Sequence, residues 1–230
     1  MAGGRPRAFD TDAALDRALD VFWRQGYEGT ALSDLTAAMG INRPSLYAAF
    51  GNKEDLFRKV LDRYVGGPGA YAADALNLSR ARDVVERLVY GAIDLTAGPA
   101  TPRGCLYVRN TQACPPESES VRQEVISRRQ ASTAALRQRL ERARSEGDLP
   151  ADCDPAALAH FVMTVTDGIA TQAANGCAPE DLRRVADLAM TAWPGGSRPP
   201  RPDSGRQTGP SGQPSNEPPD DPLDRLGRRR

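Results

Sequence analysis

The twenty-one residues from Thr30 to Phe50, TALSDLTAAMGINRPSLYAAF, restrict the possible folds of this chain more than any other stretch. Leu32, Leu35 and Met39 form a short apolar stripe at helical spacing that starts near Thr30 and stops at Gly40. Asn42 is placed to cap the next helix, with Pro44 tolerated in its first turn and Leu46 and Phe50 facing inward. Two short amphipathic helices joined by Gly40-Ile41-Asn42 have the layout of a helix-turn-helix. Gly40 permits the sharp reversal, and a buried Ile41 clamps the helices at a fixed angle.

The flanking segments are helical as well. Leu15, Ala18, Leu19, Phe22 and Trp23 form one stripe on a helix opened by Asp10 or Thr11 and closed at Gly26. Asn52 caps a fourth helix, with Glu54 and Asp55 in the first turn where the helix dipole favours them. Its inner face is Leu56, Phe57, Val60, Leu61 and Tyr64. After a Gly/Pro break, GGPG at 66–69, the spacing predicts helices over 80–97, 103–113, 118–146, 154–175 and 179–193. Asp154-Pro155 and Ala178-Pro179 are well-formed helix starts. No alternating pattern is long enough for a sheet, so the fold class is all-α.

The organisation that follows is a flexible arm over 1–10, a helix-turn-helix domain over 11–64, a larger helical domain over 65–193 and a tail over 194–230. The tail is Pro, Gly, Ser and charge with hardly an apolar residue, a composition that cannot offset the entropy of ordering. Its three final arginines, Arg228, Arg229 and Arg230, read as a solvated end.

Net charge is zero, and residues 1–65 hold nine basic against nine acidic side chains, so composition alone does not point to nucleic acid. Any charge for DNA must come from placement on one face. The second helix of the pair presents Arg43, Ser45, Tyr47, Ala48 and Ala49 on its outer side. The Arg43 fork suits guanine edges or phosphates, Ser45 and Tyr47 hydroxyls suit phosphate oxygens, and the alanines let the helix sink into a major groove. Lys53 stands at the start of the fourth helix, where free N–H groups already attract phosphate. Thr30 and Ser33 begin the other helix end expected to face the DNA backbone.

These residues carry a specific resemblance. FWRQGYEGTALSDLTAAMGINRPSLYAAFGNKEDLF resembles the DNA-binding domain of the TetR family of bacterial transcriptional regulators, without a gap over about residues 10–60. The marks are the aromatic-x-x-x-Gly-Tyr exit of the first helix, the Thr opening the second, Gly40-Ile41, Leu46-Tyr47-x-x-Phe50, and Asn52-Lys53-Glu54-x-Leu56. The resemblance implies that Arg43, Pro44, Ser45 and Tyr47 sit in or beside the groove and that Lys53 holds a phosphate. Ala31 departs from the Ser or Thr usual in the family, and Ala48-Ala49 from bulky aromatic or His residues. It further implies a homodimeric repressor on palindromic double-stranded operator DNA, released by a small-molecule effector, with the fourth helix as the lever between domains.

For the second domain, the last two helices resemble the pair that forms the dimer's four-helix bundle. Leu158, Val162, Val165 and Ile169 form one stripe, and Leu182, Val185 and Leu188 another, with Gly168, Ala170 and Ala173 allowing close approach. Arg103 to Asn110 resembles the Gly-Cys-Leu turn that many members carry beside the ligand cavity, and Tyr107, Asn110 and Phe161 are the residues expected to line it.

Other classes fare less well. The chain has four cysteines, none in a CxxC pair, and they read as free thiols in a reducing compartment. His160 is the only histidine, so neither Cys–His catalysis nor a zinc site has the residues it needs, and no enzyme activity, cofactor or metal is expected. No apolar run spans a membrane and the N-terminus lacks a signal-peptide core, which predicts a cytoplasmic protein without a membrane partner. The alternatives that remain are a thiol-based redox-sensing regulator coupling Cys105 with Cys114, and a helical interaction module that does not bind DNA.

Overall fold

The computed structural model describes residues 9–99, 101–111 and 115–194, and every regular element among them is helical. The expected tail, its terminal arginines, Cys114 and most of the expected arm lie outside these residues. The last two residues of that arm are tied to the first helices: Phe9 packs near Phe50, and Asp10 caps the first of them by accepting the Asp12 and Ala13 amides at 2.9 and 3.2 Å.

Four helices build the first core. They are α1 (Thr11–Gly29), α2 (Leu32–Met39), α3 (Arg43–Phe50) and α4 (Lys53–Gly66). Gly26 leaves helical geometry inside α1, at φ 76°, a value that favours glycine. Ala18, Phe22, Leu35, Leu46, Leu56, Phe57 and Leu61 are all but fully buried between these helices. Phe22 and Tyr27 meet the edge of Phe57 at ring separations of 5.0 and 5.1 Å. Leu106, Val121 and Val125, more than forty residues further along the chain, complete the same core.

The second core is a bundle of α6 (Ala81–Ala97), α8 (Glu119–Ser145), α9 (Pro155–Ala174) and α10 (Pro179–Thr191), with α9 packed against the other three. Val84, Val85, Ile93, Leu140, Val162, Ile169, Leu182 and Ala186 fill it.

Three expectations are corrected here. The stretch after the Gly/Pro break is not empty: α5 (Ala70–Ala75) forms because Ala75 is buried and one edge of the Tyr71 ring presses on α6 at Gly91. Among the described residues, the helix expected over 103–113 is reduced to α7 (Leu106–Arg109), because Gly104 adopts φ 88° and Cys105 after it is extended. The two stripes read as a dimer surface are divided between inside and outside. Val162, Ile169 and Leu182 belong to the chain's own core and Leu158 and Val165 pack against it, whereas Val185 and Leu188 are 51% and 69% exposed.

Candidate nucleic-acid interface and adjoining cavity

Local sequence fixes α3 tightly. The Asn42 side chain accepts the Ser45 amide at 2.9 Å, Pro44 occupies the first turn, and Leu46 and Phe50 anchor the inner face at 1% and 4% exposure. With that face committed, Arg43, Pro44, Tyr47 and Ala48 are exposed and Ser45 is half-exposed. Ala49, expected on the outer face, instead packs partly against the core. Tyr47 leaves nearly half its surface in water, 47%, which an aromatic ring does at a free-energy cost unless a partner covers it. Arg43 has no carboxylate partner among the described residues, so its guanidinium is available.

The start of α4 is equally determined. Asn52 accepts the Asp55 amide at 2.8 Å and Asp55 accepts the Asn52 amide at 3.2 Å, a reciprocal cap that sets the helix N-terminus beside α3. Lys53 opens this helix, and its ammonium lies 4.3 Å from the centre of the Tyr27 ring. Partial burial lowers its pKa, and nearby Glu28 acts in the opposite direction. The lysine expected at a phosphate site is therefore a partly desolvated cation positioned by the exit of α1.

The residues at the start of α2 behave differently from one another. Ser33 is exposed, as a backbone contact requires. Thr30 is 1% exposed and its hydroxyl donates to the Gly26 carbonyl at 2.6 Å. That hydroxyl closes the α1 exit, so the Thr30 side chain is withdrawn from the expected contact set. The residue capping α2 is Ala31, which has no side-chain acceptor; only its own amide is satisfied, by Asp34 at 3.0 Å.

Beyond these helices lies a cavity of about 410 Å³, walled by residues of α4, α5, α6, α7, α8 and α9. Of the three side chains expected to line it, Tyr107 does. Asn110 does not: it accepts the Tyr27 amide at 2.7 Å and donates to the Leu106 carbonyl at 2.7 Å, fastening α7 to α1. Phe161 is also elsewhere, 37% exposed on the outer face of α9 and absent from the cavity wall. Residues not expected in the wall include Tyr64, Tyr71 and the oppositely charged Arg129 and Asp167, which pair with each other. Tyr71 lies just after the Gly/Pro break, in a stretch too short for periodicity to mark it.

A second fastening joins the same segments: the Trp23 indole N–H donates to the Gly104 carbonyl at 2.7 Å, both residues being buried. Cys105, next in the chain, lines the cavity with its sulfur 3.4 Å from the Tyr64 hydroxyl. Among the described residues no cluster of His, Cys, Asp and Glu could hold a metal, and no helix is long and apolar enough to cross a membrane.

Comparison with known proteins places this geometry in context. Residues 14–60 match the family model described as bacterial regulatory proteins, tetR family, and residues 81–189 match the tetracyclin repressor-like C-terminal domain. The chain is 37% identical over 196 residues to the HTH-type transcriptional repressor ComR of Escherichia coli (strain K12), covering 83% of this chain and 92% of that protein. It is 29% identical over 191 residues to the HTH-type transcriptional repressor BdcR of the same organism, covering 82% and 91%. Among solved structures it is similar to a cysteine mutant of the TetR family transcriptional regulator CifR complexed with a 26-base-pair double-strand operator DNA. That match has 46% identity and a TM-score of 0.79, and covers 83% of this chain and 100% of that one.

Proposed function

The chain belongs to the TetR family of bacterial transcriptional regulators, and from that premise we propose that it is a cytoplasmic, homodimeric repressor whose α3 reads a palindromic operator and whose cavity takes the effector that releases it. In this reading the 11–64 segment docks on DNA. Arg43, Pro44, Ser45 and Tyr47 sit in or beside the major groove, and Ser33 and Lys53 contact phosphates on either side. The 65–193 segment carries the effector site and the dimer contact. The relatives named as repressors, and the one complexed with operator DNA, support this assignment.

The observation that carries it is the contrast across α3: an inner face of buried Leu46 and Phe50, and an outer face on which Tyr47 and Arg43, the latter without a carboxylate partner among the described residues, stand in water. Dimerisation rests on a second contrast. Phe161 on α9 and Val185 and Leu188 on α10 are large apolar side chains left exposed on two packed helices, and a second copy set against them closes a four-helix bundle. Such a dimer presents two recognition helices to half-sites one DNA turn apart, about 34–36 Å.

The test is binding of the purified protein to the DNA upstream of its own gene across a salt series. Affinity is expected to fall steeply with salt. Lys53→Ala should weaken binding to all sequences and lower the salt slope by about one, and Arg43→Ala should relax sequence preference. Tyr47→Ala should weaken binding as well. Sequence-indifferent binding that none of the three variants changes would refute the reading.

A further inference from the structure

The cavity's chemistry narrows what can occupy it. Among the described residues Arg129 and Asp167 are the only charged side chains in its wall, and they pair across α8 and α9. An anionic ligand taking Arg129 would bring its charge against Asp167, and a cationic ligand taking Asp167 would meet Arg129. Either exchange in a partly desolvated site leaves one charge poorly compensated. Apart from this pair the wall is mainly apolar, with Leu88, Leu136 and Met163 prominent.

Few hydrogen-bond donors in the wall are uncommitted. The Thr96, Ser132 and Thr166 hydroxyls each donate to a carbonyl of their own helix, at 2.6, 3.1 and 3.0 Å. The Tyr64 hydroxyl shares a contact with the Cys105 sulfur, and the Tyr107 phenol oxygen lies beside Arg128, a donor that draws that ring toward α8. Tyr71 differs: its hydroxyl has no hydrogen-bond partner among the described residues. Its ring is also firmly seated. A methyl group added to Gly91 would fall 2.5 Å from the ring, so α6 keeps a bare glycine where the tyrosine lies, and the Arg87 guanidinium stands 5.5 Å from the ring centre. Burial raises its pKa far above the usual phenol value, so the donor proton is retained throughout the physiological range.

We propose that the effector is an uncharged, largely apolar molecule with one strong hydrogen-bond acceptor, and that Tyr71, seated on Gly91, is the residue that donates to that acceptor and orients the molecule. The inference rests on the reading of this cavity as the effector site. Tyr71 is a specificity determinant here because any molecule filling the apolar volume without an acceptor leaves its hydroxyl unpaired, and any molecule with a full charge disturbs the Arg129–Asp167 pair.

Two naphthalene dyes of similar bulk separate these requirements: Prodan, a neutral ketone whose emission responds to hydrogen bonding at its carbonyl, and ANS, a sulfonate. Each is titrated into the full-length wild-type protein and into Tyr71→Phe, Gly91→Ala and Ala135→Trp, with the circular-dichroism spectrum and thermal unfolding of every variant as the check on folding. Prodan should bind the wild type at least about tenfold more tightly than ANS. Tyr71→Phe should weaken Prodan roughly five- to tenfold and shift its bound emission to the blue, the size expected for one hydrogen bond. Gly91→Ala, which displaces the ring but keeps the hydroxyl, should do the same. Ala135→Trp fills the cavity and should abolish Prodan binding. Equal or tighter binding of ANS, or Prodan affinity and emission unchanged in Tyr71→Phe, would overturn the inference while leaving the cavity as a binding site. Prodan binding that ignores Ala135→Trp would place the dye elsewhere and remove the cavity reading itself.

Discussion

Replacing Trp23 by Phe tests the claim that the DNA-binding helices are fastened to the rest of the molecule through α7. Trp23 is 2% exposed, donates to the Gly104 carbonyl at 2.7 Å, and meets the Tyr64 ring edge-on at 4.9 Å. Phe keeps most of the ring contact but loses the donor, leaving a buried carbonyl unpaired at about 1–3 kcal/mol. It also leaves a void of roughly 40 Å³, worth about 1 kcal/mol if the site does not collapse. The sum, about 2–4 kcal/mol, corresponds to a fall in Tm of roughly 5–15 °C for a chain of this size. The chain's other tryptophan is an internal control: Trp193 is 5% exposed but has no hydrogen-bond partner among the described residues, so Trp193→Phe should cost only the void, about 1 kcal/mol. Guanidinium and thermal unfolding followed by circular dichroism, at one protein concentration because a dimer's Tm depends on it, supply the comparison. Equal losses in the two variants would refute the argument, since they would mean that the bond across 81 residues of chain contributes nothing.

Ala31→Ser should stabilise the protein by about 1 kcal/mol, or roughly 2–4 °C in thermal unfolding, because it supplies the missing acceptor at an N-cap whose backbone is already extended and whose amide Asp34 already accepts. Stability should fall above about pH 10. Burial raises the pKa of both Tyr64 and Tyr71, so their contribution is complete below the unfolded value near 10 and is lost as pH climbs above it. Each contributes a slope that approaches about 1.4 kcal/mol per pH unit once the unfolded phenol is ionised, so Tyr71→Phe should remove about 1 kcal/mol of the loss that guanidinium denaturation shows between pH 10 and 11. Leu188→Glu should yield monomers by analytical ultracentrifugation and lose operator affinity while retaining helical content, since Leu188 is 69% exposed and contributes nothing to the chain's own core.

The helix-turn-helix was legible because its information is local. Gly40, Asn42, Leu46, Phe50 and Asn52 each act within a few residues of themselves, and cap, turn and stripe spell out geometry directly. The recognition face followed from the buried one. Thr30 lies away from its expected place because the same residue type suits a helix start and a buried back-bond to Gly26, and only the path of the chain after Gly26 decides between them. Dimer stripes were misassigned for a related reason. Val162, Ile169 and Leu182 have the spacing of any amphipathic helix, and the side of α9 that meets α6 and α8 is a matter of tertiary packing. Phe161 and Asn110 were assigned to the cavity on chemistry without position. Tyr71 was invisible because a six-residue helix has too few turns to show a period, and its seat at Gly91 lies twenty residues away.

These misplacements alter the account of how the two ends of the molecule communicate. From the sequence, α4 is the natural lever, and it does run from the α3 turn to the cavity, where Tyr64 stands in the wall. The structure adds a second, shorter route. Residues 104–110 line the cavity through Cys105, Tyr107 and Val108 and grip α1 through the Gly104 carbonyl and the Asn110 side chain. Asn110 holds the Tyr27 amide, and the ring of that tyrosine holds the ammonium of Lys53. A molecule in the cavity therefore lies three contacts from the proposed phosphate site, each link being a hydrogen bond, a cation–π contact or a few residues of backbone. A ligand can weaken DNA binding only by preferring an arrangement in which some such link is changed. The 104–110 segment is well suited to have two arrangements: its helix is four residues long, Gly104 sits at positive φ, and a side chain there would strike Ala174 of α9. It is held by a few hydrogen bonds and one enclosed side chain, Leu106, rather than by a long buried face, so displacing it costs less than tilting α4, whose Leu56, Val60 and Leu61 are fully enclosed.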